Sequence, residues 1–224
     1  MDERYERNIG AITQTEQELL QTKRAAVIGC GGLGCYAAEF LARIGLGHIT
    51  LIDGDVYAVS NLNRQLYSLE TNLGKSKARE ARERLLQIRS DLSVDAFDIF
   101  LNDENAVELL RGHDVIIDAL DNVKTRLLLE KAAAALGTAL VHGAVKEWSA
   151  QVCVVFPGDS LLSMLYSPAN GEFEKPSVAS FTPAFCASLE VSEAVKVLLN
   201  KDTVLRKKLL VADIKNCSFE VIDL

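Results

Sequence analysis

Ala25-Ala-Val-Ile-Gly29-Cys-Gly31-Gly32-Leu33-Gly34 carries an apolar strand straight into a GxGxxG turn, and a helix-forming segment, Cys35 to Arg43, follows. That order suits an anion. Glycine at 29 allows the tight turn, glycine at 31 lets backbone N–H groups approach a phosphate, and glycine at 34 permits close strand–helix contact, with the positive end of the helix facing the charge. Asp53 ends the next strand 19 residues after Gly34, near the roughly 20-residue spacing at which an acid meets ribose hydroxyls. The strand–turn–helix setting marks a nucleotide-binding turn rather than a loop that is glycine-rich for plain turn reasons.

Open α/β sheets bind ligands outside the carboxyl ends of their strands. Behind the second strand stand Asp53-Gly-Asp55, Ser60-Asn-Leu-Asn-Arg-Gln65 and, at a helix start, Gly74-Lys-Ser-Lys77; behind the fourth, Asp118-Ala-Leu-Asp-Asn122; behind the fifth, His142-Gly-Ala144. Singly, each has a plain reading: Arg64 a solvated charge, Lys77 a helix-face lysine, Asp121 the N-cap of a helix beginning at Val123. Together they set two or three cations and two carboxylates around one phosphate-binding turn. A dinucleotide's pyrophosphate is held mainly by the turn and the helix dipole, whereas a triphosphate needs extra cations and often a metal held by aspartate.

Alternating strand-like and helical windows supply the scaffold. Thr15-x-x-Glu18 reads as a capping box for a short helix ending near Lys23. Strand His48 to Asp53, helix Lys75 to Arg89, strand Val94 to Phe100, helix Asp103 to Arg111, strand Val115 to Ala119 and helix Val123 to Leu136 follow. Strands Thr138 to His142 and Gln151 to Phe156 come next, then helix Pro183 to Leu199 and terminal strands Leu209 to Asp213 and Ser218 to Ile222. This pattern predicts an α/β, Rossmann-like doubly wound fold, its mostly parallel sheet extended by antiparallel C-terminal strands, as a single domain over 1–224. Asp159 to Ser180, with Ser-Pro, Asn170-Gly171 and Lys175-Pro176, reads as a long mobile loop: a lid, a binding segment or a disordered stretch.

Composition narrows the partners. In 224 residues, half of them apolar, a net charge of −7 and a pI near 5.1 argue against nucleic acid and suit a small molecule or a protein. No apolar leader and no run of membrane-spanning length is visible, so a cytoplasmic protein without membrane contact is expected. The five scattered cysteines form no CxxC pair, so no structural zinc is predicted.

In their order, Arg4-Tyr-Glu-Arg-Asn8, the glycine turn, Asp53-Gly-Asp55, Ser60-Asn-Leu-Asn-Arg-Gln65, Gly74-Lys-Ser-Lys77, Asp121-Asn122 and Ser192-Glu-Ala-Val-Lys196 resemble the bacterial ThiF/MoeB/HesA adenylyltransferases of the ubiquitin-activating-enzyme-like superfamily. The resemblance covers nearly the whole chain, and SNLxRQ with GxxK downstream of DxD is its most specific part. It implies that Asp53 holds ribose hydroxyls of ATP, that Gly29, Gly31, Gly32 and Gly34 shape the phosphate loop, and that Asn61, Arg64 and Lys77 meet the triphosphate. Asp55 and Gln65 belong to the same nucleotide-binding set. Asp121 would hold Mg2+, with Asn122 close to the nucleotide, and Arg7 would reach into the second subunit of a homodimer. The substrate would be the Gly-Gly C-terminus of a small ubiquitin-like sulfur-carrier protein, docked on the long loop and the last strands; this chain's own Val221-Ile-Asp-Leu224 lacks that pair.

The sequence departs from many relatives in having neither paired CxxC motifs nor a cysteine between 159 and 180, which predicts an enzyme that stops at the acyl-adenylate. Cys186, near a helix start, is the one candidate for a covalent step, against a buried apolar role. Cys30 and Cys35 are expected to pack beside the turn. His142 reads as a hydrogen-bonded core residue at the cleft edge, and Trp148 as a cover for the sheet or for a partner. A tRNA-modifying carboxylate-activating relative, a non-catalytic nucleotide-binding scaffold and an NAD-dependent dehydrogenase are the alternatives.

Overall fold

The computed structural model describes residues 2–167 and 177–224. β1 (Arg24–Ile28), β2 (His48–Ile52) and β4 (Val115–Asp118) are apolar runs buried along nearly their whole length, the mark of parallel strands covered on both faces. With β3 (Ser93–Phe97), β5 (Ala139–Lys146), β6 (Ser149–Val155), β7 (Lys208–Asp213) and β8 (Ser218–Asp223), they build one eight-stranded sheet of order β3-β2-β1-β4-β5-β6-β7-β8. Pairing is parallel from β3 to β5 and antiparallel from β5 to β8. The expected doubly wound fold, with its antiparallel extension, is what forms.

Seven α-helices cover the faces among the described residues. Helices α2 (Gly34–Ile44), α3 (Lys77–Ile88) and α7 (Phe181–Leu198) bury Leu41, Leu85 and Val191 against one face. On the other, α4 (Ala106–Leu110), α5 (Val123–Leu136) and α6 (Leu161–Leu165) bury Leu110, Leu129 and Leu162. No helix of the described residues is long and apolar enough to cross a membrane.

Three expectations need correction. Helix α1 (Gln14–Leu20) is capped by Thr13, not Thr15: Glu16 N–H donates to Thr13 Oγ1 (3.2 Å) and Thr13 N–H to Glu16 Oε2 (2.9 Å). The motif occurs twice in overlap, and this register turns Gln17 and Leu20 inward. Strand β5 runs past His142 to Lys146 and meets β6 in a tight hairpin, which places Trp148 in its turn. The segment 159–180 is not wholly a loop, because α6 lies within it. Its first turn is held from α5 by the Glu130 carboxylate, which accepts from the backbone N–H of Leu162 (2.7 Å) and Ser163 (3.0 Å). Residues 168–176 of the expected loop lie outside the described residues.

Candidate functional site

The order of the parallel strands reverses between β1 and β4, so a crevice opens at their carboxyl ends. The glycine turn sits there. Gly29 has φ +93°, and a Cβ on it would stand 2.7 Å from the Ala119 carbonyl oxygen behind β4; only glycine accepts both the backbone angle and the approach. The turn is tied sideways to β2: Asp53 Oδ2 accepts from Cys30 N–H (2.6 Å), and Oδ1 from Asp55 N–H (2.8 Å). Burial pushes the Asp53 carboxyl upward, against those two backbone donors and the positive charge of Lys77.

The segment after β2 folds back over this turn. Asn61 Oδ1 accepts from Ala58 N–H (2.9 Å), closing a 3-10 turn. That closure brings the next residues onto the glycines. Arg64 Cγ and Gln65 Nε2 each lie 3.5 Å from where a Cβ would stand on Gly32 and Gly31. Arg64 anchors through Nη1 on the Ser60 carbonyl (2.9 Å) and Asn63 Oδ1 (2.8 Å), which leaves further guanidinium donors for a ligand. Gln65 is buried, and its Oε1 has no hydrogen-bond partner among the described residues, as expected of a group whose partner is bound from outside.

Lys77 opens α3 behind its N-cap, Ser76. Its side chain is 8% exposed, with Nζ 3.0 Å from Asp55 Oδ2. A solvated helix-face lysine would not be so enclosed. The plain reading of Asp121 also changes, since the cap of α5 is Asn122, whose Oδ1 accepts from Thr125 N–H (2.9 Å). Asp121 is exposed at the mouth beside it.

Thus the crevice gathers Gly29, Gly31, Gly32, Gly34, Asp53, Asp55, Asn61, Arg64, Gln65, Lys77, Asp121 and Asn122. It does not gather Arg7. Tyr5 packs within 2.9 Å of a Cβ built on Gly45, and Asn8 reaches the Ile44 carbonyl (3.5 Å), so the turn carrying Arg7 sits at the C-terminal end of α2. The glycine turn is at the other end, about 16 Å away along an 11-residue helix.

Beneath the mouth lies a buried polar network that the motifs did not reveal. Asp118 and His142 occupy opposed positions of β4 and β5, and the imidazole Nδ1–H donates to Asp118 Oδ2 (2.7 Å). His142 Nε2 then accepts from the Tyr166 hydroxyl (3.0 Å), which itself accepts from Gln151 Nε2 (3.0 Å) and Arg126 Nη1 (2.9 Å). Burial lowers the His142 pKa despite the carboxylate, so the ring stays neutral. The expected core histidine is therefore also an organising one. A charged residue ending an apolar strand demands a partner, and Asp118 at the end of Val115-Ile-Ile was the available signal.

Glu190 of α7 faces the same region and is fully buried, with neither carboxylate oxygen partnered among the described residues. Burial and the nearby Asp118 charge push its pKa well above the ordinary carboxyl range, and with no hydrogen-bond partner for a charge among the described residues the protonated form is the favoured one. An acid raised in the folded state binds a proton the unfolded chain releases, so stability is present below the ordinary carboxyl pKa and falls as pH rises above it. Glu190→Gln, which needs no proton, is expected to stabilise the fold at neutral pH. Its advantage should grow by about 1.4 kcal/mol per pH unit above the ordinary value while Glu190 stays protonated. Urea unfolding at several pH values checks this; an advantage independent of pH refutes it.

Cys30, Cys35, Cys153 and Cys186 are buried. Cys186 is fully buried with Sγ 3.8 Å from the Ala144 and Gln151 carbonyls, and burial pushes its thiol well up, which fits the buried apolar role; Cys30 and Cys35 pack beside the turn as expected. Trp148 is half exposed, with its ring 4.5 Å from that of Phe181. Among the described residues no three His, Cys, Asp or Glu gather as a metal cage. Mg2+ does not require one, because it is commonly held by one or two carboxylates together with substrate phosphates and water; Asp121 beside the glycine turn suits that mode.

Comparison with known proteins agrees with this geometry. A model of the ThiF family matches residues 5–224. The sulfur carrier protein adenylyltransferase of Thermus thermophilus is 35% identical over 215 residues, covering 91% of this chain and 79% of that protein. The SAMP-activating enzyme E1 of Haloferax volcanii is 31% identical over 227 residues, covering 98% and 84%. In fold, the crystal structure of E. coli MccB with ATP superposes with a TM-score of 0.85 at 20% identity, over 100% of this chain and 71% of that one. The chain belongs to the ThiF family and is an adenylyltransferase of that family.

Proposed function

We propose that the protein adenylates the C-terminal Gly-Gly carboxylate of a small ubiquitin-like sulfur-carrier protein of the ThiS or MoaD kind, using ATP and Mg2+. A carboxylate oxygen attacks the α-phosphorus, the bond from that phosphorus to the bridging oxygen breaks, and pyrophosphate leaves with the electron pair. The nucleophile is already ionised at neutral pH, so no general base is required. What the reaction needs is charge neutralisation and alignment as two anions approach. Arg64 and Lys77 supply it, with the backbone of Gly31 and Gly32 on the phosphates and Asp53 on the ribose. Mg2+ at Asp121 would add positive charge on the phosphate oxygens.

The observation that carries this reading is the enclosure of Lys77 and the seating of Arg64 on Gly32 at one glycine turn. The names of the Thermus and Haloferax relatives support the carrier class. So does an exposed apolar surface on the α7 side of the last strands, where Phe219 and Val221 stand out and the Phe219 ring lies 6.0 Å from Phe185. Arg7 lies too far from its own crevice to act there, which fits a homodimer in which it serves the second copy's site. Carrier-dependent exchange of labelled pyrophosphate into ATP tests the proposal: exchange is expected with a Gly-Gly carrier and lost when the terminal glycine is deleted. Exchange that proceeds with tRNA and no carrier would refute it.

A further inference from the structure

Arg126 stands in the second turn of α5, buried, and its guanidinium touches three separate stretches of chain. Nη2 donates to the carbonyl of Leu120, the residue before Asp121. Nη1 donates to the Tyr166 hydroxyl at the end of α6 (2.9 Å), and the guanidinium carbon lies 5.2 Å from the centre of that ring. Nε is 3.6 Å from Asp118 Oδ2, and Nη2 is 3.5 Å from the Gly143 carbonyl. Asp118 closes the loop on itself: its Oδ1 accepts from Leu120 N–H (3.1 Å). Leu120 is therefore held at both its N–H and its carbonyl, by the two members of one ion pair.

We propose that Arg126 is a positioning residue for adenylation, fastening the Asp121 loop to the end of α6 through the Leu120 carbonyl and the Tyr166 hydroxyl. The inference rests on the adenylation reading for its consequence but not for its geometry. Directionality makes the fastening specific. His142 donates from Nδ1 to Asp118, so its Nε2 can only accept, the Tyr166 O–H must point at it, and the phenol oxygen's lone pairs are left for Arg126 and Gln151. Such a network has one proton arrangement and one geometry. Lysine cannot reproduce a planar fork with three different acceptors. A displacement of the Asp121 carboxylate of even about 1 Å costs on the order of 100-fold in rate.

The test compares the full chain with Tyr166→Phe, which removes one hydroxyl and leaves the ring packed, and with Arg126→Lys. Hydrogen exchange over Leu120 to Asn122 should accelerate about tenfold in Tyr166→Phe, although the altered residue lies on another element. In carrier-dependent pyrophosphate exchange, kcat per folded molecule should fall about tenfold in Tyr166→Phe and further in Arg126→Lys, with KM for ATP within about twofold. The double variant should be no worse than Arg126→Lys, since both act through one network. Unchanged hydrogen exchange in Tyr166→Phe overturns the inference whatever the carrier is. Accelerated exchange with full kcat overturns the positioning role. A native chain inactive with every Gly-Gly carrier would instead fault the substrate assignment, and the hydrogen-exchange arm would still decide the coupling.

Discussion

Lys77→Ala is expected to lower kcat for carrier-dependent adenylation by about 10²–10³, the usual cost of removing one preorganised charge from a site where negative charge develops. The structure allows that loss to be separated from a loss of folding. Lys77 is enclosed, but its partner Asp55 is 57% exposed, so water can solvate the carboxylate once the ammonium is gone. An ion pair with one half in solvent contributes about 1 kcal/mol or less to stability, and the urea midpoint should move little. Lys75 provides the control two residues earlier. Its side chain is 59% exposed and lies 3.8 Å from Glu80, and Lys75→Ala should leave kcat within about twofold. Equal effects of the two alanines, or a Lys77→Ala enzyme with near-native kcat, would remove the triphosphate role from Lys77.

The parts of this protein legible in its sequence were those written in local chemistry. Buried parallel strands announce themselves as apolar runs, so β1, β2 and β4 were found within a residue or two. The crevice was legible because its groups follow strand ends in sequence, which is where the fold delivers them in space. Reading failed where a residue's partner lies far along the chain. Helix α6 looked like loop because Ser160-Leu-Leu-Ser-Met-Leu165 has little pattern of its own; it forms against α5, through a carboxylate more than 30 residues upstream. Arg126 resembles any helical arginine until Asp118, Leu120, Gly143 and Tyr166 are brought around it.

Glu190 and Glu193 illustrate the same blindness. They are spaced three apart and followed by Lys196, nothing in their pattern tells one from the other, and both are buried. Glu193 is paired, accepting from Leu205 N–H (2.8 Å) and meeting Lys196, whereas Glu190 relies on its proton. Helical periodicity cannot separate those outcomes, because the groove that α7 enters is made by β4, β5 and β6. The capping of α5 misled at shorter range: Asp121 and Asn122 are both good caps, and only the backbone path decides that Asn122 takes the position, which leaves Asp121 at the mouth.

Gly34→Ala is expected to be the most damaging glycine-to-alanine substitution among the described residues. A methyl group there would stand 1.7 Å from the Gly29 carbonyl oxygen, 2.9 Å from its carbon and 3.1 Å from Ala119 Cβ. None of these can retreat. Gly29 is held by its N–H on the Ile52 carbonyl (2.8 Å), and Ala119 by its N–H on the Ile28 carbonyl (3.0 Å). Relief therefore means moving α2 off β1, at a cost of about 4 kcal/mol or more, above the roughly 1–3 kcal/mol usual for overpacked core positions because the obstacle is backbone. Gly158→Ala separates crowding from backbone strain, because Gly158 has φ +93° and nothing within 4 Å of an added Cβ; it should cost only about 1–2 kcal/mol. Urea unfolding of both variants gives the comparison. Because the displaced element is the helix whose N-terminus faces the phosphates, any folded Gly34→Ala molecules should also bind ATP more weakly, which Gly158→Ala molecules should not. A Gly34→Ala chain no less stable than Gly158→Ala would mean that the strand–helix contact is looser than the 1.7 Å approach requires.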